Sequence, residues 1–587
     1  MLSFVVFDAE GIDARHFPPR HAYLIGPDET PVQGDIALKI GSVDASKAVH
    51  TAVGLAVQMA VAVQDAPAGA PTLTGPATGG AVLGLLTVQT CLLPDSTKPY
   101  LLTIELARRQ IMFVLNKMED WGLFDLPTDH FLLQQFDAAR ETFTKALIAQ
   151  RSAGDGALDA GRGGFSPAAD RLAAAALATG IAVGEQLTLL NAERQFKLRV
   201  SGGGYKEALS HLARLTPELP PAGHPVVIPG AGHCVLSEMP QIGCAISPGA
   251  FTEIQQRAIL ASCDFVTMPM RWIDMEPTEG KYNFATTDRW IEWAIRTAKL
   301  PVVGGPLVDF RPQCAPDFLF IWENDYETLR DLVYEHVTAV VTRYRRTITR
   351  WTVASGLHVN TNFKISFDQI VDLTRMCIQL VRKLHPTAKV QLEIAQPWGE
   401  YHALNRRSIP PYVYAEAIVQ AGAAHPPSQI DAICLRAQMG HAEPGLATRD
   451  LLALSAMLDR YAALEKPVVV SALGCPSGPV TPKPFRPRAG AEPTDPYEPG
   501  FWREPWSESQ QSAWLAAAAA VCLSKPYVQS ICWHDLSDTA NLGAAPEMPG
   551  GGLLGANGTP KAALTKLAQI RKAVKEARWM LPSIPGA

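Results

Sequence analysis

The segment "YETLRDLVYEHVTAVVTRYRRTITRWTVAS", residues 326–355, decides the fold. Its first part, 326–344, reads as a helix. Its end, 350–355, reads as a buried strand, with Trp351, Val353 and Ala354 following the helix-like run. From about residue 240 onward the same alternation recurs. The strand-like runs are "IGCAIS", "DFVTMPM", "PVVGGPL", "RWTVAS", "KVQLEIA", "DAICLRA", "PVVVSAL" and "VQSICWHD". Helical segments such as "TEIQQRAILAS", "FDQIVDLTRMCIQLVRKL" and "SQQSAWLAAAAAVCL" lie between them, and "KAALTKLAQIRKAV" closes the set. Eight strands, each followed by a helix, over roughly 340 residues predict a (β/α)8 TIM barrel. Nearly continuous apolar strands are what a parallel sheet covered on both sides requires. Such a barrel keeps its site at the C-terminal strand ends and in the loops after them.

The chain before the barrel reads differently. Residues 1–100 hold strand-like pieces broken by Gly, Pro and Asp, such as "LSFVVFD", "DIALKIG" and "AVLGLLTVQTCLL", and predict a β-sandwich-like module. Residues 101–200 switch to helical patterning in three segments and predict a helical connector. "RVSGGGYKEA" marks the boundary before the barrel, which spans 240–580. The fold class is therefore α/β, a (β/α)8 TIM barrel preceded by a β-sandwich-like module and a helical connector.

The 587 residues exceed one ordinary core. Hydrophobic content of 47% against 19% charged excludes a disordered chain. The net charge of −5 and the lack of a Lys/Arg-rich run give no footprint for nucleic acid. Ten cysteines are scattered without a CxxC pair, mostly inside apolar runs, as expected for buried thiols in a reducing compartment. The N-terminus lacks a basic region, a full apolar core and a cleavage site, so no signal peptide is expected. "AVHTAVGLAVQMAVAV" (48–63) is shorter than the roughly 20 residues that span a bilayer. A cytoplasmic protein with no membrane partner is the expectation. "GGAVLG" and "SGGGYK" lack the strand-to-helix context of a nucleotide loop, so no cofactor is expected.

"MRWIDMEPTEGKYNFATTDRWIEWAIRTAKLPVVGGPLV" (270–308) resembles the second and third strand region of glycoside hydrolase family 10, the endo-β-1,4-xylanases. Met270, Arg271, Trp272, Glu276, Pro277, Gly280, Tyr282 and Phe284 fall on the family pattern. "HVTAVVTRYRRTITRWTV", "KPVVVSALG", "ICWHDLSD" and "GGLLGANGTPKAAL" resemble later parts of the same barrel, so the resemblance covers about 240–575. It implies a carbohydrate as the partner. It also implies two catalytic glutamates, and both are replaced. The family's acid/base glutamate falls at Gly356, with Ser355 in place of the preceding asparagine. The nucleophile falls at Ala472. The sugar-holding asparagine and histidine fall at Met268 and Gly305, and the strand-six glutamine and histidine at Arg436 and Gln438. Retaining hydrolysis needs two carboxyls about 5–5.5 Å apart and inverting hydrolysis about 6.5–9.5 Å. Gly356 and Ala472 supply neither.

Other carboxylates lie near strand ends. Glu393, Asp309 and Asp535 are the relocated catalytic candidates, because barrels move residues between loops. The plainer reading pairs Glu393 with Arg271 or Arg436 as a buried ion pair. Arg271, Trp272, Trp398, Arg436, Gln438 and Trp533 are the candidate substrate-binding residues. For Trp272 and Trp533 core packing is the competing reading; Trp398, on a loop beside Pro397 and Gly399, is the favoured sugar contact. His441 with Glu443 is too sparse for a metal site, and none is expected. His358 reads as a proton donor or, more plainly, a solvated histidine. The Pro-rich loop 476–506 reads as a wall of the cleft, with a homo-oligomer contact as the alternative. Three functions follow: a barrel that binds carbohydrate without xylanase-type hydrolysis, a glycosidase with relocated carboxylates, or a structural or assembly protein.

Overall fold

The computed structural model describes residues 2–8, 11–15, 22–63, 82–156, 164–201, 239–311, 313–404, 408–443, 445–481, 496–538 and 548–580, with short pieces at 71–72, 75–76, 226–228, 232–234, 483–484 and 582. Within residues 239–580 eight parallel strands close into a barrel. In order they are Gln241–Ala245, Phe265–Met268, Val302–Gly304, Arg350–Ser355, Lys389–Ile394, Ala432–Leu435, Val468–Leu473 and Val528–Trp533. Closure is direct: Gln241 pairs with Ser530 and Cys244 with Trp533. The third strand breaks after Gly304 and resumes as Val308–Asp309, which places Asp309 beside Ser355 of the fourth strand. The (β/α)8 barrel expected from the alternation is the observed one.

Local chemistry starts the helices. Thr252 and Ser366 form reciprocal capping boxes with Gln255 and Gln369. Asp325, Asp450 and Ser507 cap the helices Tyr326–Tyr344, Leu451–Ala462 and Glu508–Ser524 through their side-chain oxygens. The barrel's lumen is less regular. Bulky branched residues usually fill it in layers. Here two small apolar groups, Ala245–Phe265–Val303–Cys532 and Ala432–Cys434–Val469, stand apart from the main core. Thr267, Thr352, Gln391, Glu393, Ser471 and Ser530 share the lumen with them.

The family-like motif of the sequence builds scaffold. The buried indole of Trp272 donates to Glu276 Oε2 at 2.8 Å, and the Gly280 amide donates to Glu276 Oε1 at 2.8 Å. His336, from the helix before the fourth strand, stacks on Trp272 at 4.2 Å. These contacts fasten the loop after the second strand to the outer helix layer.

The described part of residues 2–101 forms two main sheets and a two-stranded piece at 71–72 and 75–76. One runs Tyr100–Leu101, Leu2–Val5, Ser42–Lys47, Gly34–Lys39. The other runs Phe501–Trp502, Val82–Gln89, Gly54–Ala62, Tyr23–Ile25, Pro31–Val32. Its outer strand Phe501–Trp502 comes from the barrel's loop after strand seven. The described end of that loop, 496–506, is therefore a strap between the two parts of the chain; residues 482 and 485–495, which the cleft-wall expectation also covers, lie outside the described residues. The strap lies flat because Gly84 has φ +132° and no Cβ, where an added Cβ would stand 2.2 Å from Phe501 O.

Three helices, Leu102–Asp120, Phe131–Gly156 and Pro167–Val200, join sheets to barrel. The third is long and apolar enough to cross a membrane by length and composition, but 72% of that stretch is buried inside the protein. Its Arg199 donates to the carbonyls of Leu523, Lys525 and Val528 at 2.8–3.0 Å, at the C-terminal end of a barrel helix where a cation is favoured. Its Glu185 accepts from Trp502 Nε1 at 2.7 Å and from the Leu451 amide at 3.2 Å, and pairs with Arg503. One buried carboxylate thus joins helix, strap and barrel. Glu185→Ala strands the Arg503 charge in the interior, and we expect a loss of about 3–5 kcal/mol. A lower denaturant midpoint, with a smaller loss for Glu185→Gln, is the outcome to be read by tryptophan fluorescence.

Candidate functional site

At the C-terminal end of the strands the chemistry converges on one carboxylate. Glu393, on strand five, is 4% exposed. Its Oε1 accepts from Ser355 Oγ at 2.7 Å and from Arg436 Nη1 at 3.2 Å. Its Oε2 accepts from Ser471 Oγ at 2.6 Å. Strands four, six and seven thus each send one donor to strand five. Alternation along each strand turns these side chains inward. The Arg436 guanidinium also donates from Nε to Gln438 Oε1 at 3.3 Å.

A second ion pair sits beside it. Asp309 accepts from Arg311 Nε at 3.0–3.1 Å, from Nη2 at 2.6 Å and from the Arg311 amide at 2.9 Å. This bidentate pair occupies the space in front of Gly356. Gly356 has φ +64°, and a Cβ there would stand 2.5 Å from Asp309 Oδ1 and 3.0 Å from Arg311 Cγ. Glycine is required twice over, by the left-handed backbone and by the neighbour. Ala472, at the other family position, is buried and lines the same cavity. That cavity, about 90 Å³, is bounded by Arg271, Asp309, Arg311, Glu393, Arg436 and Ala472 among others.

The structure distributes the sequence candidates unevenly. Arg271, Arg436, Glu393 and Asp309 meet at the cavity. Of the two partners considered for Glu393, Arg436 makes the pair; Arg271 pairs with Asp274 at 2.6 Å. Burial pushes the Asp274 carboxyl up, against the pull of Arg271. Gln438 is buried beside Arg436, outside the cavity lining. Asp535 does not join the other carboxylates. It accepts from Ser247 Oγ at 2.5 Å.

The tryptophans are placed otherwise than as sugar platforms. Trp272 and Trp533 have covered rings, with the indole of Trp533 donating to Gly551 O at 2.9 Å. Core packing explains both. Trp398 is partly buried between the barrel and the N-terminal sheets, with the Arg449 guanidinium 4.6 Å from its ring centre. It lines a separate cavity with Tyr23, Arg109 and Arg460. Loop position correctly marked it as a contact residue, but its partner is the other part of the chain. His441 lies 3.9 Å from Glu443, and among the described residues no group of three His, Cys, Asp or Glu could hold a metal.

His358 is neither a proton donor nor solvated. It is fully buried, its ring 5.2 Å from Tyr414 and 5.7 Å from Tyr401, and neither ring nitrogen has a hydrogen-bond partner among the described residues. Burial, helped by the Arg311 charge, pushes its pKa down to about 3. Arg311, Arg350 and His534 were not singled out from the sequence. Arg311 had a signal, the D-x-R spacing after strand three. His534 had none, since its place is set by Gly474, where a Cβ would stand 2.5 Å from His534 Nδ1.

Set beside known proteins, the chain matches the pattern of "Glycosyl hydrolase family 10" over residues 234–372. The match includes Gly356 and ends before strand seven. A curated relative, endo-beta-1,4-xylanase Xyn10C of Cellvibrio japonicus, is 28% identical over 88 residues, 15% of this chain. The chain thus spans only 14% of that relative's length. Among solved structures, xylanase 10B of Thermotoga petrophila in complex with xylobiose is 14% identical. That comparison covers 58% of this chain and 95% of the other at TM-score 0.41. The endo-1,4-beta-xylanase of Caldicellulosiruptor owensensis is 16% identical, covering 56% and 96% at TM-score 0.40. The barrel is similar to glycosyl hydrolase family 10, as the motif in 270–308 implied.

The burial of His358 has a pH consequence. Its folded pKa lies below the unfolded value near 6.5. Between about pH 6.5 and 3 the unfolded chain therefore binds a proton that the folded chain refuses, and stability falls as pH falls. We expect His358→Phe to flatten the pH dependence of the denaturant midpoint across that window. An unchanged slope would show that His358 titrates normally in the fold.

Proposed function

We propose that the barrel binds a carbohydrate at its C-terminal face and does not perform xylanase-type retaining hydrolysis. The observation that carries this reading is at Gly356. The position has no carboxyl, and the Asp309–Arg311 pair fills the volume where a longer side chain would project. Ala472 adds no nucleophile. Retaining hydrolysis requires both groups across the scissile bond, and losing a positioned acid or nucleophile removes several powers of ten in rate.

The relocated-carboxylate reading has one point in its favour, since Glu393 and Asp309 line the same cavity. Both are committed elsewhere. Glu393 accepts from three side-chain donors and Asp309 from a bidentate arginine. A nucleophile needs an oxygen free to attack.

Calorimetry with xylo- and cello-oligosaccharides, run beside a reducing-sugar assay on the same panel, tests the proposal. Binding without turnover is expected. Turnover abolished by Glu393→Gln would establish the relocated mechanism instead. Absence of both, with concentration-dependent assembly, would point to a structural role. Restoring glutamates separates missing residues from a remodelled site. The double variant Gly356→Glu, Ala472→Glu is expected to remain inactive on aryl xylosides, because the side chain introduced at position 356 would meet Asp309 and Arg311. It should also lose about 1–3 kcal/mol from the left-handed backbone at 356. Recovered hydrolysis in that variant would mean the obstruction is not there.

A further inference from the structure

The cavity in the barrel carries an excess of positive charge. Arg271, Arg311, Arg350 and Arg436 line it, against Asp309 and Glu393. Guanidiniums stay protonated in proteins. Arg311 is matched by Asp309 and Arg436 by Glu393. Asp274, the partner of Arg271, lies outside the lining. Arg350 bonds Gln241 Oε1 at 3.2 Å and, among the described residues, no carboxylate. Arg271 thus has its counter-charge just behind the wall, and Arg350, which opens strand four at its N-terminal end, has none among the described residues.

Hydrogen-bonding capacity leans the same way. Among the described residues Arg271 Nη2 is buried without a partner, and so is Gln438 Nε2, on a side chain 1% exposed. Both are donors. The two carboxylates of the lining are engaged, the oxygens of Glu393 by Ser355, Ser471 and Arg436 and those of Asp309 by Arg311, which leaves hydroxyls such as Thr352 and Ser530 as its neutral acceptors. An oxyanion only accepts, and guanidinium forks match a carboxylate in two parallel bonds. A cavity of about 90 Å³ holds several waters, each needing roughly 10–15 Å³. That is room enough for an acid group.

We propose that the barrel mouth recognises the carboxylate of an acidic sugar, a uronic-acid unit, with Arg271 as its principal receptor and Arg436 beside it. The inference rests on the carbohydrate-binding reading and narrows it to acidic glycans. The ring and the rest of the chain stay outside the cavity, and the acid group enters.

Calorimetry on the full chain tests this with four probes: an oligoglucuronate, the neutral gluco-oligosaccharide of the same linkage, a sulfated sugar and acetate. We expect the oligoglucuronate to bind at least about tenfold tighter than its neutral counterpart, the effect of one charge-assisted contact. Arg271→Gln should abolish that preference, so that the oligoglucuronate binds no tighter than its neutral counterpart. Asp274→Asn, which releases Arg271 from its ion pair, should strengthen it. Equal binding of acidic and neutral sugars overturns the inference and leaves the carbohydrate reading standing. Failure of every sugar overturns both. Acetate binding as tightly as oligoglucuronate shows a free carboxylate site, and a preference for the sulfated sugar shows a sulfate site; either overturns the uronate assignment. Tighter uronate binding that neither variant moves overturns the role of Arg271.

Discussion

The barrel mouth is organised by the charge on Glu393. A carboxylate buried to this depth is tolerated only with a partner and filled hydrogen bonds. Ser355, Arg436 and Ser471 supply them from strands four, six and seven. The same three contacts fix the register of side chains at the barrel's top and use up the oxygens that chemistry would need. What the cavity then offers to a ligand is guanidinium N–H from its arginines beside the hydroxyls of residues such as Thr352 and Ser530. The interior ion pair thus shapes both the catalytic prospects of the site and the kind of molecule it can hold.

What remains similar to the hydrolase family is chiefly framework. Trp272, Glu276, Gly280 and Tyr282 lie in a closed set of contacts with His336 behind strands two and three. Burial alone would raise the Glu276 carboxyl. Bonds from His336, the Gly280 amide, Tyr282 and Trp272 hold it below the ordinary range instead. Replacing any member exposes a buried polar group, so the cluster resists change even when the residues facing a substrate drift. A fold and the function grafted on it are separable for this reason. The family match over 234–372 contains this framework and also Gly356.

The sequence was legible where one residue's environment is set by its near neighbours. Apolar runs marked strands buried on both sides, and the alternation with helical segments from about residue 240 marked the barrel. The pairing of Glu393 with an arginine followed from the cost of a buried charge. Partners distant in sequence were not legible. Trp502 and Arg503 meet Glu185 more than three hundred residues away, so the long loop read as a cleft wall when its described end is a strap. Trp398 read as a sugar platform because a loop tryptophan needs a partner, and nothing local says that Arg449 and the N-terminal sheets provide it. His358 looked solvated because burial between Tyr401 and Tyr414 depends on two later helices.

A double-mutant cycle on Glu393 and Arg436 tests the central claim most directly, with Glu393→Gln, Arg436→Met and the pair compared by denaturant unfolding. If the carboxylate is structural, each single variant loses about 3–5 kcal/mol and the double variant loses clearly less than the sum. A Glu393→Gln protein more stable than the parent would contradict the account. That gain is the mark of a carboxylate held at the expense of stability for chemistry.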